Sequence, residues 1–228
     1  MRCLPPLRLK LDYYGRHLRG VGRRLLDVGC GNGEFVARAR DMGWDSHGVD
    51  PDPAAVAAGR SRGLQITHGT LADVSVPNDA DAWDVITLSH SIEHVTQPKV
   101  VLSQVLNMLR PGGYVWMAWP NPQSMGRFYC GRYWESFDPP RHLCLYSRRS
   151  MQLLLSEAGY ESIRFHRRGS HAGRIYRVSA EASQRAGSGS WRFLAPIRIL
   201  LTLIADLIAT IDPRWSEELV VTAFKPKA

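Results

Sequence analysis

Cysteine is scarce in this 228-residue chain: Cys3, Cys30, Cys130 and Cys144 are the only four, and no two form a Cys-x-x-Cys pair or stand at a zinc-ligand spacing. That excludes a zinc ribbon and a dithiol redox motif, and reduced thiols in a cytoplasmic protein are the expectation. The opening Met-Arg-Cys-Leu-Pro-Pro lacks the apolar core of a signal peptide. No internal repeat is present. The one long greasy stretch, residues 191–212, is interrupted by Arg198 and Asp206. Each would cost about 2.5–3.5 kcal/mol near a bilayer centre, which disfavours a full span. Negative charge is also short, with 21 acidic against 29 basic side chains and a net charge of +8. That balance suits an anionic partner, whether membrane surface, nucleic acid or acidic metabolite, and equally suits a generally basic solvated surface. The hydrophobic share of 44% and charged share of 22% are ordinary for a globular fold. A chain of this length buries one substantial α/β core, so 1–228 reads as a single domain with insertions.

What is present concentrates at residues 25–33, Leu-Leu-Asp-Val-Gly-Cys-Gly-Asn-Gly. A short apolar run ends in Gly29, Gly31 and Gly33, and a helical pattern follows. Strand, glycine turn and helix form the entry to a doubly wound nucleotide-binding sheet, although a tight turn without a ligand has the same outline. Asp50 closes a second strand pattern one βαβ step later, where a carboxylate suits a ribose diol. Asp27, just before the first glycine, would repel a pyrophosphate and attract an ammonium. Position 34 is Glu, where the dinucleotide fingerprint has Gly or Ala. Together these disfavour NAD and favour S-adenosylmethionine, which has a ribose and an ammonium and no phosphate.

With these residues the chain resembles the class I S-adenosylmethionine-dependent methyltransferases. The resemblance runs from about Arg24 to Arg168 and returns at the C-terminus. Within the class it is most similar to the branch of ubiquinone-type O-methyltransferases and their bacterial relatives. The segments that carry it are 25–33, Gly-Val-Asp-Pro at 48–51, Asp-Val-Ile-Thr-Leu-Ser-His-Ser-Ile-Glu-His-Val at 84–95, Leu-Arg-Pro-Gly-Gly at 109–113 and Pro-Pro-Arg-His-Leu at 139–143. They specify a class and not a substrate. The resemblance implies an α/β, doubly wound Rossmann-like sheet of seven strands, six parallel and the last antiparallel.

Along the chain, 7–20 reads as a short helix over the cofactor mouth, within an N-terminal cap at 1–22. Strands are expected at 24–28, 46–50, 64–67, 83–88, 114–119, 160–167 and 217–225, and helices at 33–42, 54–62, 98–109 and 147–159. Residues 120–146 interrupt the alternation with Phe128, Tyr129, Tyr133, Trp134, Phe137 and Tyr146. In the resembling class a substrate lid stands after the fifth strand. Residues 169–190 are polar and rich in small residues, and read as a loop or linker. With the apolar helix at 191–212 they make a second insertion before the last strand.

The resemblance carries cofactor contacts onto Asp27, Gly29, Gly31 and Gly33, onto Asp50 for the ribose, and onto Pro51 beside the adenine. It also carries them onto Thr70 and Leu71, where many relatives have an Asp, and onto Ser89 near the methionine end. Methyl transfer needs orientation more than a nucleophile. A hydroxyl acceptor needs a base as well. His142, in the lid, and His90, past the fourth strand, are the catalytic candidates. His142 could instead be a structural pin. The ubiquinone enzymes have Glu-x-x-Glu-His where this chain has His90-Ser-Ile-Glu-His94, and there the cluster is associated with a divalent metal. His90, Glu93 and His94 would suit zinc- or iron-like ions better than magnesium. Glu-His is widespread in the class without a metal role, and no metal is assigned.

The helix at 191–212 has one narrow polar stripe, Arg198, Thr202, Asp206 and Thr210. It could pack beneath the insertion, lie in an anionic membrane interface, or form a homodimer seam. The expectation is a cytoplasmic S-adenosylmethionine-dependent enzyme, peripheral at the inner membrane face if that helix meets lipid. Its acceptor would be a small molecule or a lipid-linked one, methylated on oxygen. A nucleic-acid substrate has only charge in its favour and is disfavoured. A cofactor-binding scaffold without turnover is the non-enzymatic alternative.

Overall fold

The computed structural model describes residues 5–18, 23–75, 82–169, 171–187 and 198–227. Seven strands form one sheet in the order β3-β2-β1-β4-β5-β7-β6. They are β1 (Arg24–Val28), β2 (Asp45–Asp50), β3 (Gln65–His68), β4 (Trp83–Ser89), β5 (Leu109–Pro120), β6 (Glu161–His166) and β7 (Glu218–Phe224). β7 runs antiparallel to both β5 and β6, and the other pairs are parallel. The expected doubly wound sheet, with its last strand reversed, is therefore present.

The helices are α1 (Pro5–Tyr14), α2 (Glu34–Asp41), α3 (Pro53–Ser61), α4 (Pro98–Met108), α5 (Met125–Cys130), α6 (Arg148–Glu157), α7 (Ala172–Arg185) and α8 (Arg198–Ile211). Local chemistry starts several of them. Asp52 caps α3 by accepting from Ala54 N at 2.8 Å, with Pro53 in the first turn. Ser147 caps α6 through Ser150 N. β4 is near-continuously apolar because both of its faces are covered. Alternation along β5 sends Met117 and Trp119 into the large core with Leu26, Ile86, Leu102, Leu155 and Val221. It sends Trp116 and Ala118 to the other face, against Tyr13 of α1.

Two sequence expectations need correction. β5 begins at Leu109 and not at Tyr114, because Leu109 pairs with Trp83 before a register shift. The Arg-Pro-Gly-Gly that ends α4 thus lies inside the next strand. The supposed linker at 169–190 contains α7, a 14-residue helix. Its buried face is Ala172, Ile175, Tyr176, Ser179, Ala180 and Ser183, a helical period built from small and hydroxyl side chains. Composition hid it, since serine and alanine read as linker residues wherever close packing is not in view.

The apolar stretch is helical over Arg198–Ile211, and 188–197 lie outside the described residues. From the polar stripe of α8, Asp206 turns inward. Asp206 Oδ1 accepts from the His171 and Ala172 amides at 2.9 and 3.1 Å, at the start of α7. Ala205 and Ala209 are buried with it. Ile199, Leu203, Leu207 and Ile211 are exposed on the outer face, at 69%, 61%, 61% and 69%. Packing of the whole helix beneath the insertion is therefore not what the described residues show.

Candidate active site

β1 and β4 are neighbours whose onward connections lead to opposite halves of the sheet, so a crevice opens beyond their carboxyl ends. The glycine turn fills its floor. Gly31 has φ +56° with open space where a Cβ would stand, while a Cβ on Gly29 would come within 2.5 Å of Ser91 Oγ. Both positions therefore require glycine, one for backbone conformation and one for packing as well. Asp50 supports the turn: its Oδ2 accepts from Gly31 N at 2.7 Å and its Oδ1 from Asp52 N at 2.9 Å. A cavity of about 520 Å³ lies above, lined among others by Gly29, Asp50, Pro51, Thr70, Leu71 and His90. Gly33, by contrast, turns its Cβ position into the core against Ile66 and Leu64. Thr70 donates its hydroxyl to Asp73 at 3.1 Å, so the charge missing at position 70 stands three residues further on. Hydrogen bonds from the Thr70 amide and hydroxyl hold that Asp73 carboxyl below its ordinary range.

Ser89 lines a separate cavity of about 310 Å³ together with Tyr13, Tyr14, Arg16, Cys30, Asn32 and Trp116. Behind its Arg16, Asp27 is 1% exposed. Its Oδ1 accepts from Thr87 at 2.8 Å and from Arg16, whose guanidinium lies 3.6 Å over the Phe35 ring. Its Oδ2 is buried with no hydrogen-bond partner among the described residues. A buried, half-satisfied carboxylate beside an empty volume is suited to a cationic ligand group. Burial, then the charges of Asp27 and Asp50, push the Cys30 thiol up to about 12, so it stays a neutral small side chain.

The insertion after β5 and α7 border a third cavity of about 570 Å³, lined among others by His90, Trp134, Phe137, His142, His171 and Glu218. His90 lines both this cavity and the one above Asp50. Its ring sits between two carboxylates, Nδ1 3.3 Å from Glu93 Oε1 and Nε2 3.2 Å from Glu218 Oε1. Burial alone would lower its pKa. Hydrogen bonds and charge from Glu218 and Glu93 outweigh burial and raise it to about 10. A ring with both nitrogens facing carboxylates offers no lone pair to a substrate. Glu218 in turn accepts from Arg168 Nε at 2.6 Å and meets His171 Nε2 at 2.9 Å.

His142 is arranged differently. Its Nδ1 lies 2.7 Å from the Ser136 carbonyl, and His94 Nδ1 lies 2.8 Å from the Arg141 carbonyl. A carbonyl can only accept, so each Nδ1 carries a proton, and in the neutral ring the lone pair is on Nε2. The rings are 4.9 Å apart. Beside them Glu93 is fully buried, with His90 Nδ1 3.3 Å from its Oε1. The Glu93 carbonyl accepts from the Leu143 and Cys144 amides at 2.8 and 3.3 Å, which fixes the lid against the turn after β4.

The structure therefore brings Gly29, Asp50, Pro51, Thr70 and Leu71 to one cavity, Ser89 to a second whose wall residue Arg16 is bound to Asp27, and His90 and His142 to a third. Sequence reasoning missed Arg16, Arg168, His171 and Glu218. One signal was available: Glu217 and Glu218 head an apolar strand, and acids entering a buried strand need partners.

A seven-stranded sheet of this order, with a glycine turn and an acidic β2 end, defines the class I S-adenosylmethionine-dependent methyltransferases. Residues 7–164 match the profile described as "Methyltransferase domain", and the chain belongs to that family. A ubiquinone biosynthesis O-methyltransferase of Alkalilimnicola ehrlichii is 34% identical over 117 residues, 47% of this chain and 46% of that protein. The chain thus spans about half the length of the curated relative it matches. Two solved structures share the fold. The [4+2]-cyclase SpnF has a TM-score of 0.64 at 21% identity, with 98% of this chain and 81% of that one covered. Phosphoethanolamine N-methyltransferase 2 of Haemonchus contortus, in complex with S-adenosyl-L-methionine, has a TM-score of 0.65 at 15% identity, with 97% and 52% covered.

Proposed function

We propose that this chain transfers the methyl group of S-adenosylmethionine to a hydroxyl oxygen of a small or lipid-linked acceptor. One observation carries the reading: His90 is a wall common to the cavity above Asp50 and the cavity under the lid, so a ligand in one meets a ligand in the other. The cofactor's adenosine end suits the Asp50 cavity, and its ammonium suits the buried Asp27. When bound, it supplies a methyl group on a sulfonium. The chain's own part is to align the acceptor and keep water out, for which Trp134 and Phe137 form apolar walls. The acceptor's proton goes to the His142 Nε2 lone pair, with Glu93 Oε1 3.9 Å away to steady the imidazolium. His90, held between carboxylates, keeps charge at the junction and is not the base. The named relative favours oxygen as the methylated atom.

Asp50→Ala is expected to weaken cofactor binding, by about 1.5–3 kcal/mol at most for each charged hydrogen bond lost. Calorimetry with S-adenosylmethionine checks this, and unchanged affinity would remove Asp50 from the site. Tight NAD binding would overturn the cofactor itself. The activity is tested by tritium transfer from labelled cofactor into cell extracts separated into lipid, sugar and nucleic-acid fractions. Label in the lipid or small-molecule fraction is expected. Label in nucleic acid would replace the acceptor class. Cofactor binding without transfer to any fraction would leave a scaffold.

The outer face of α8 supports attachment to an anionic membrane surface. Among the described residues no helix is long and apolar enough to cross a membrane. Yet Ile199, Leu203, Leu207 and Ile211 form a continuous exposed apolar stripe, which suits an interface better than water. Arginines near that surface add on the order of 1 kcal/mol each. The protein is expected to float with anionic liposomes, less so in high salt, and the double variant Leu203→Glu, Leu207→Glu should stay in the soluble fraction. A wild-type protein that remains soluble at low salt, or a dimer that covers the stripe in sedimentation, sinks the membrane reading.

A further inference from the structure

A further cavity, of about 590 Å³, opens between α1 and the β5–β7–β6 half of the sheet, and it shares no wall residue with the three cavities of the site. Tyr114 and Phe224 lie in register across β5 and β7, their rings 5.2 Å apart, and give it an aromatic floor. Two acids line it, and both already face a cation. Asp84 Oδ1 lies 2.5 Å from Arg110 Nε, and Asp12 Oδ2 lies 3.8 Å from Arg8 Nε. Arg23, Arg164 and Arg167 line the same cavity, are exposed, and have no acidic partner among the described residues. Arginine keeps its charge at any ordinary pH. Three uncompensated positive charges therefore surround one cavity, which gathers part of the chain's basic excess in one place. His17 adds a donor. The Trp116 indole N–H can only donate, so His17 Nδ1, 3.2 Å away, accepts and the proton of the neutral ring is on Nε2. Arg16 and His17 have φ +48° and +54°, a conformation that bulky residues keep only where their surroundings hold them, so the turn presenting His17 is fixed.

We propose that this cavity binds a small phosphorylated compound with a flat apolar body, at a site apart from the one that carries methyl transfer. Guanidinium forks pair with phosphate oxygens two at a time, and each such bond is charge-assisted. A carboxylate has two oxygens and a single charge. A phosphate monoester has three free oxygens and close to two charges near neutral pH, so it can meet more than one arginine. The floor selects the rest of the ligand. An inorganic ion would leave Tyr114 and Phe224 uncovered, whereas a flat ring can stack on them. The volume is that of an ordinary small-molecule site. A nucleic-acid strand needs a basic track, and here the arginines surround one cavity. Because the walls are not those of the cofactor cleft, the compound should bind together with S-adenosylmethionine and not compete with it. The inference rests on this cavity and is independent of which acceptor is methylated.

The test titrates the full chain with 1-naphthyl phosphate in a calorimeter, with S-adenosylhomocysteine in excess to fill the cofactor cleft. 1-Naphthol and inorganic pyrophosphate are the comparisons for body and head. Naphthyl phosphate is expected to bind more tightly than either, and less tightly as salt rises. The double variant Arg23→Gln, Arg164→Gln should weaken it by about tenfold or more, the least that one charge-assisted hydrogen bond contributes. Arg62→Gln removes an exposed charge at the end of α3 and should leave the affinity unchanged. Binding of S-adenosylhomocysteine reports whether each variant is folded, and should the double variant fail that check, Arg167→Gln decides in its place. No binding of naphthyl phosphate, naphthol bound as tightly, binding abolished by S-adenosylhomocysteine, or an equal loss in Arg62→Gln would each overturn the proposal. So would anionic vesicles or a homopolymeric RNA that bind through Arg23 and Arg164 and displace the naphthyl phosphate, since a lipid headgroup or a strand would then be the occupant.

Discussion

His142→Ala is expected to lower kcat by about a hundredfold or more while leaving the affinity for S-adenosylmethionine unchanged. His142 stands in the lid, away from the glycine turn, so cofactor contacts do not pass through it. A general base contributes about a hundred- to ten-thousandfold, and the Nε2 lone pair faces the buried Glu93 rather than bulk solvent. The ring also pins the lid through the Ser136 carbonyl, so alanine removes two things at once. His142→Asn separates them. The amide nitrogen can replace Nδ1 as donor to Ser136, but nothing replaces Nε2. Both variants should be equally slow if the lone pair is what turnover needs. An asparagine variant with near wild-type rates would show that His142 is a pin. The measurement is turnover with labelled cofactor on the accepting fraction, beside calorimetry of cofactor binding.

Glu218→Ala is expected to destabilise the fold by about 3–5 kcal/mol, the usual cost of stripping one partner from a buried ion pair. Arg168 is 3% exposed, and Glu218 is its only carboxylate partner among the described residues. The guanidinium also lies 3.5 Å over the Tyr13 ring, so the loss extends to the seating of α1. The pH dependence has a definite sign. Burial alone would raise the Glu218 carboxyl, but hydrogen bonds from His171 and His90 outweigh it and hold it well below the ordinary value. A carboxylate depressed in the folded state contributes its full stability above the ordinary carboxylate range. That contribution is lost as the pH falls through the folded value. Urea midpoints at neutral pH should therefore differ strongly between wild type and Glu218→Gln, and the gap should narrow in acid. A midpoint for Glu218→Ala equal to wild type at pH 7 would mean that water or another group already satisfies Arg168.

The parts of the site that were legible in sequence are those whose chemistry is local. Gly29 and Gly31 are demanded by a turn only a few residues long, and Asp50 ends the strand that supports it. The insertion after β5 was legible because aromatic residues crowd that segment. Glu218 was not. Its partners Arg168, His171 and His90 come from just past β6, from the segment before α7 and from just past β4, and only the closure of the sheet by β7 brings them together. His142 was visible as a candidate, but its pairing with His94 across the turn after β4 depends on how the lid folds back. The apolar character of α8 was plain, whereas its orientation was not. A helix with polar residues four apart is expected to show them to solvent, and here Asp206 is spent on the first amides of α7.

The insertion after β5 and α7 share a small core of their own. Cys130, Trp134, Ala172, Ile175, Tyr176, Ala180 and Ala205 form a cluster apart from the one beneath the sheet. Trp134 and Tyr176 are its largest members, and it is much smaller than the cluster under the sheet, so its opening should be cheaper than global unfolding. Amides of α7 should exchange well before those of β4 and β5. The same separation has a longer-term consequence. Substitutions that reshape the chamber under the lid need not disturb the strands beneath the cofactor cleft, so over evolutionary time relatives could take up new acceptors while that cleft stays as it is.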